Sequence, residues 1–107
     1  ISLPDPDDRH VVAAARAGQA DVIVTDNLAD FPPAALPASI ARQSLDDFLL
    51  DLLDIHPGQV VTAVRTIAER TGKSGPRMTA SEIAAYLSTH GTTLFGERLL
   101  AALDTAP

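Results

Sequence analysis

A helix-forming segment followed almost at once by a short β-branched segment constrains the fold of this chain most. Residues 9–17 are mainly Ala, Val and Arg, and Gly18 is placed to end a helix. Residues 21–25 are short and mostly β-branched, as is typical of a parallel strand buried on both faces. A helix, a three-residue connection and such a strand make half of a β-α-β unit. The pattern therefore predicts an α/β fold with a short parallel sheet.

Polar turns flank this helix and strand. Residues 3–8 contain two prolines and read as a turn in which Asp7 or Asp8 caps the helix. Residues 26–33 form a polar loop after the strand, at the edge of an open sheet where ligands usually bind. Residues 35–38 are interrupted by Pro37, so we predict at most one helical turn there, and then a short edge strand over residues 39–43.

The second half of the chain carries only helical patterns. We predict a helix over residues 46–55 with a capping-box variant at its start, another from Pro57, a third opened by the capping box of Thr79 and Glu82, and a fourth over residues 93–103. The third helix should run through Leu87, with Gly91 ending it. The apolar stripes of the first two helices are Leu45, Phe48, Leu49, Leu52 and Leu53, then Val60, Val61, Val64, Ile67 and Ala68. The character of the sequence changes near residue 44, and we predict an α/β domain over 1–55 and a helical extension over 56–107.

Charge and composition restrict the class of protein. The net charge of −6 argues at first against nucleic acid, but the charge is uneven: residues 1–55 hold ten Asp and three Arg. The absence of Cys excludes disulfides and thiolate metal sites, and it fits the reducing cytoplasm in which we expect the protein. No apolar run approaches the roughly 20 residues that span a bilayer, and no signal peptide is evident.

Two groups of side chains are candidates for chemistry: Asp5, Asp7 and Asp8 at the start of the helix, and Thr25, Asp26, Asn27 and Asp30 after the strand. Either group alone is more commonly a solvated helix cap or an ordinary turn. Together they indicate more, because a helix and the strand that follows it run antiparallel, so both groups should meet at one edge of the sheet. Carboxylate and amide oxygens are ligands for Mg²⁺ or Mn²⁺, which can activate water and neutralise charge on a phosphate.

The sequence around these groups resembles the second half of PIN-domain ribonucleases, in particular the VapC-type toxins of bacteria. The resemblance covers about residues 3–50. It rests on Asp-Asp-Arg-His-x-x-x-Ala-Ala from residue 7, followed at a suitable distance by Thr-x-Asn-x-x-Asp-Phe-Pro from residue 25. Residues 45–107 are similar to a helical C-terminal extension found on some of these toxins.

The resemblance implies a three-layer α/β/α domain and cleavage of RNA that depends on Mg²⁺ or Mn²⁺. It also implies a cognate antitoxin protein that binds the toxin and fills its site. Asp8 would be the third acidic ligand of the family, and Asn27 would stand where the family has Asp or Asn. The remaining candidates are Asp5 and Asp7 for the metal, Asp30 for catalysis, and Arg9, His10 and Thr25 for RNA.

The first two acidic positions of the family lie in an earlier strand and helix, which this sequence does not contain. We therefore expect a fragment that is inactive by itself, and a homo-oligomer, possibly with swapped elements, that covers the open strand edges. The alternative is a non-catalytic helical module over residues 45–104 that dimerises or binds a partner. The basic loop over residues 70–77 contains Gly-Lys-Ser but lacks the glycine spacing and strand of a nucleotide-binding loop, so a contact to the RNA backbone is the remaining expectation.

Overall fold

The chain divides into an α/β unit and a helical unit, which meet in sequence between Leu45 and Asp46. The computed structural model describes residues 3–105. It confirms a partial α/β domain followed by helices. The domain limits 1–55 and 56–107 stay a prediction, because a division by packing does not by itself define inherited domains.

The α/β unit is built on two very short parallel strands. Its elements are a 3-10 turn (Pro6–Asp8), α1 (Arg9–Ala17), β1 (Val22–Val24), 3-10 turns at Leu28–Asp30 and Pro33–Ala35, and β2 (Ala41–Gln43). In the parallel pair, Val22 lies opposite Ala41 and Val24 opposite Gln43. The predicted helix over 9–17 and the short strand within 39–43 are thereby confirmed, whereas the helical turn of this region lies earlier than residues 35–38, at Pro33–Ala35.

The core of this unit joins the sheet to the loop that follows it. Ile23 and Phe31 are buried in one cluster with Leu3 and Ile40, and Val11 and other residues of α1 pack against that cluster. The prediction that β1 is buried on both faces is wrong, since Val24 is 39% exposed. Side chains alternate along a strand, and in β1 the central Ile23 is the one that points into the core.

Four helices make up the second part of the chain: α2 (Leu45–Ile55), α3 (Pro57–Arg70), α4 (Ala80–Thr89) and α5 (Thr93–Thr105). All four predicted helices are confirmed, with ends that differ by at most a few residues. The capping box is also confirmed, because Thr79 Oγ1 accepts from Glu82 N–H at 3.1 Å and Thr79 N–H donates to Glu82 Oε1 at 2.9 Å. A local signal therefore determines where α4 begins.

The helical unit has its own core, in which Ala84 and Leu99 are 0% exposed. The predicted apolar stripes are wrong at Leu45 and at Ile67, which is 54% exposed. Ile67 lies at the margin of the α3 face whose centre is Val61 and Val64, so the helical period identified the face but not its width. The buried cluster consists of Leu53, Val61, Val64, Ala84, Phe95, Leu99 and Leu103.

Helices α4 and α5 approach each other closely at Gly96. A Cβ atom added there would come within 2.3 Å of Ser88 N and 2.8 Å of Ala84 O, both of them backbone atoms. Glycine is required at this position because any side chain would push the two helices apart.

The start of α5 is capped from a distant part of the sequence. Asp46, in the first turn of α2, accepts from Phe95 N–H at 2.8 Å and from Leu94 N–H at 3.2 Å. The buried Thr92, which could have capped α5, donates its hydroxyl instead to Leu87 O at 2.9 Å. Amides at the start of α5 are therefore satisfied by a carboxylate from another helix.

Among residues 3–105, no helix combines the length and the apolar character that crossing a bilayer requires.

Candidate functional site

The carboxyl ends of β1 and β2 form the edge at which the candidate residues were expected. Because the strands are parallel, both end on the same side of the sheet. Thr25 N–H donates to Gln43 O at 2.8 Å, so the pairing continues one residue beyond β1. The loop after β1 and the first residue of α2 therefore leave the sheet side by side.

The side chains of Thr25 and Asp26 accept hydrogen bonds that shape the loop after β1. Thr25 Oγ1 accepts from Asn27 N–H at 3.0 Å, and Asn27 O accepts from Asp30 N–H at 3.0 Å. Asp26 Oδ1 lies 3.4 Å from Leu45 N, at the start of α2. Thr25 thus fixes the backbone at Asn27, and Asp26 ties the loop to the segment after β2.

The acids before α1 differ in how they are used. Asp5 Oδ1 accepts from Asp7 N–H at 2.9 Å and caps the 3-10 turn. Asp8 occupies the N-cap position of α1, and its side chain makes no capping hydrogen bond. The prediction that Asp7 or Asp8 provides the cap is therefore wrong, because the chain enters α1 through a 3-10 turn whose cap lies further upstream. The carboxylate of Asp8 is left available for another partner.

Arg9 and His10, the two candidates for RNA contact at the start of α1, are both exposed. His10 Nδ1 lies 2.6 Å from Asp7 O. A carbonyl oxygen can only accept, so Nδ1 carries the proton in this hydrogen bond and Nε2 faces away from it. Arg9 is exposed beside it. Their predicted contacts with RNA stay a prediction.

The candidate metal-binding and catalytic residues fall into two groups by how much of their side chains is buried. Asp5, Asp7 and Asn27 are exposed, whereas Asp8 and Asp30 are partly buried. The two candidate segments border the same core, because Leu3 precedes the first, Phe31 follows the second, and both side chains are buried in one cluster.

A complete metal site is not assembled within the described part of the chain. Residues 3–105 contain no group of three or more His, Asp or Glu side chains that could hold one metal ion. Mg²⁺ commonly keeps several waters and binds one or two protein carboxylates, so the chain offers at most part of a ligand set. The metal-binding roles of Asp5, Asp7, Asp8 and Asn27, and the catalytic role of Asp30, stay predictions.

The sequence analysis did not identify the long-range hydrogen bonds that two acids, Asp26 and Asp46, accept. Asp26 was grouped with its neighbours in the loop, but its bond to Leu45 N–H spans 19 positions. Asp46 was assigned to the start of its own helix, but it caps α5 almost fifty positions later. Neither contact has a local sequence signal, since each depends on how distant segments pack.

Comparison with known proteins gives one family and one curated relative. The family model described as the VapC50 C-terminal domain matches residues 45–101, which is more than half of the chain and runs from the start of α2 into α5. A protein of Mycobacterium tuberculosis (strain ATCC 25618 / H37Rv), named "Putative ribonuclease VapC50", is 56% identical over 50 residues. The aligned stretch is 46% of this chain and 30% of that protein. No solved structure matches the chain.

Proposed function

The chain belongs to the VapC50 C-terminal domain family and carries the C-terminal portion of a VapC-type toxin, and from this we propose that the whole protein is a ribonuclease of a toxin–antitoxin system. The observation that carries the proposal is the 56% identity to a protein named as a ribonuclease. The match spans 30% of that relative, so we propose the activity for the whole protein and not for this segment by itself.

The α/β unit contributes one wall of the site in this proposal. Asp8 is the acid best suited to a direct role, because its partly buried side chain makes no capping hydrogen bond. Asn27 is held by Thr25 at the carboxyl edge of the strands. Mg²⁺ or Mn²⁺ is the cofactor we propose, with Asp8 and Asn27 supplying two of its ligands and the longer protein supplying further acids.

The proposed partners follow from the same family. The substrate is RNA, which Arg9, His10 and Thr25 would contact at the same edge. A cognate antitoxin protein would hold the toxin inactive in the cytoplasm. The two-stranded sheet leaves strand edges available, so a homo-oligomer that covers them is part of the proposal.

The test is RNA cleavage by the longest natural chain that contains this sequence, assayed with Mg²⁺, with Mn²⁺ and with EDTA. Asp8→Asn should lower kcat/KM by about 100-fold or more, the scale on which loss of one charge-stabilising group acts. Asp21→Asn is the matched control, because Asp21 has the same side chain, is exposed, and lies before β1 at the opposite end of the strand. Equal activity of the Asp8 variant and the control would refute the assignment of Asp8.

A second candidate function is a non-catalytic helical module that binds a partner or a second copy of the chain. Ile55 and Ile67 favour it, since these apolar side chains of α2 and α3 are 67% and 54% exposed. Light scattering across a range of concentrations, with and without Mn²⁺, separates the two functions. A tight dimer that ignores Mn²⁺ and does not cleave RNA would favour the module.

A further inference from the structure

The connection between α3 and α4 is the one stretch of the chain where cations dominate. Residues 70–81 contain Arg70, Lys73 and Arg77 and no Asp or Glu. Three of the eight Lys and Arg residues of a chain with net charge −6 thus lie within eight positions. All three side chains are exposed.

Hydrogen bonds of Thr71 connect the two ends of this loop. Thr71 Oγ1 accepts from Met78 N–H at 2.9 Å and lies 2.6 Å from Ala68 O, so the hydroxyl joins the two ends of the loop. Gly72 has φ of 92°, and a Cβ atom added there would lie 3.3 Å from Arg77 Cβ. The backbone at Gly72 therefore turns against Arg77.

The cations of this loop are not used within the described part of the chain. Across residues 3–105, Arg70, Lys73 and Arg77 make no ion pair or side-chain hydrogen bond. A ligand would therefore not have to break existing bonds to reach them. Their charge is available to an external anion.

We propose that this loop, residues 70–77, binds the phosphate backbone of single-stranded RNA, as a contact separate from the candidate site of the α/β unit. The inference rests on the proposed function, which makes RNA the substrate. A protein partner fits less well, because residues 71–77 offer no large apolar side chain to form the buried centre of a protein interface. Contacts to phosphate are independent of sequence, so the loop adds affinity and not base specificity.

The test compares two double variants of the longest natural chain that contains this sequence. The first is Lys73→Gln with Arg77→Gln. The second, with the same change in net charge, is Arg16→Gln with Arg98→Gln, two exposed arginines outside the loop. Binding of a fluorescein-labelled single-stranded RNA of mixed sequence is followed by anisotropy in EDTA over a range of salt concentrations, so that cleavage does not affect the result.

The loop variant should weaken binding about tenfold at low salt. It should also reduce the slope of log K against log salt by about 1.4, since each phosphate that is no longer neutralised lowers the slope by about 0.7. The control variant should do neither. Equal behaviour of the two variants overturns the inference, and so does a loop variant that loses affinity for an acidic peptide but not for RNA. If the unaltered protein binds RNA through the loop but does not cleave it with Mg²⁺ or Mn²⁺, the proposed function fails and the inference stands.

Discussion

Different interactions stabilise the interior of each of the two units of the chain. In the helical unit, order comes from helices that pack closely, with Ala84 and Leu99 fully buried between them. In the α/β unit, two three-residue strands and several turns share a small core in which Phe31 from a loop is a principal side chain. A sheet of two short strands is marginal without further strands or a partner. The family model matches the helical unit, so the part of the chain with the best-formed core is also the part that identifies it.

The two units also differ in whether packing explains the identity of their polar and small residues. In the helical unit, the close approach of two backbone segments explains why position 96 is Gly. The capping of α5 explains why position 46 is Asp. In the α/β unit, the acids before α1 and after β1 are largely exposed, and Asp8 makes no capping bond. Asp8, whose side chain caps no helix, is therefore the strongest of these candidates for chemistry.

The largest expected effect on stability concerns the helix packing at Gly96. Gly96→Ala should destabilise the helical unit by about 3 kcal/mol, because the new Cβ meets backbone atoms that cannot move aside. Gly58→Ala in α3 is the control. Its Cβ would meet nothing within 4 Å, so the higher helix propensity of Ala should stabilise the protein by up to about 1 kcal/mol. Urea unfolding followed by circular dichroism measures both. Similar midpoints for the two variants would show that the close packing of α4 and α5 is not the source of stability.

A smaller effect is expected at the distant cap of α5. Asp46→Ala removes the acceptor of two amide N–H groups and should lower the free energy of unfolding by about 2 kcal/mol, at the upper end of the range for helix caps. Asp54→Ala is the matched control, since Asp54 is an exposed acid near the end of the same helix. Its removal should leave stability unchanged or slightly raised, because a negative charge is unfavourable at a helix C-terminus. A cost for Asp54→Ala as large as that for Asp46→Ala would contradict the capping role.

What could be predicted from the sequence depended on the range of the interaction. The capping box of Thr79 and the turn in which Thr25 receives Asn27 N–H each lie within four residues, and both kinds of signal are local. The bond of Asp46 to Phe95 N–H joins positions far apart, and no local pattern announces it. The exposure of Val24 and of Ile67 was predicted wrongly for the same reason. Periodicity gives the direction of a side chain, whereas packing with distant segments decides how much of it is covered. The two groups of candidate side chains were identified from the sequence, and the metal site that they would share stays a prediction.

The central claim is that Asp8 at the start of α1 and Asn27 in the loop after β1 share one cation in the whole protein that we propose. Paramagnetic broadening of amide resonances by substoichiometric Mn²⁺, measured on the isotope-labelled longest natural chain, tests it most directly. We predict that the amides of Asp8 and Asn27 broaden together and more strongly than the amide of Asp21, and that Asp8→Asn abolishes the effect at all these positions. Broadening at only one of the two segments, or equal broadening at Asp21, would contradict the claim.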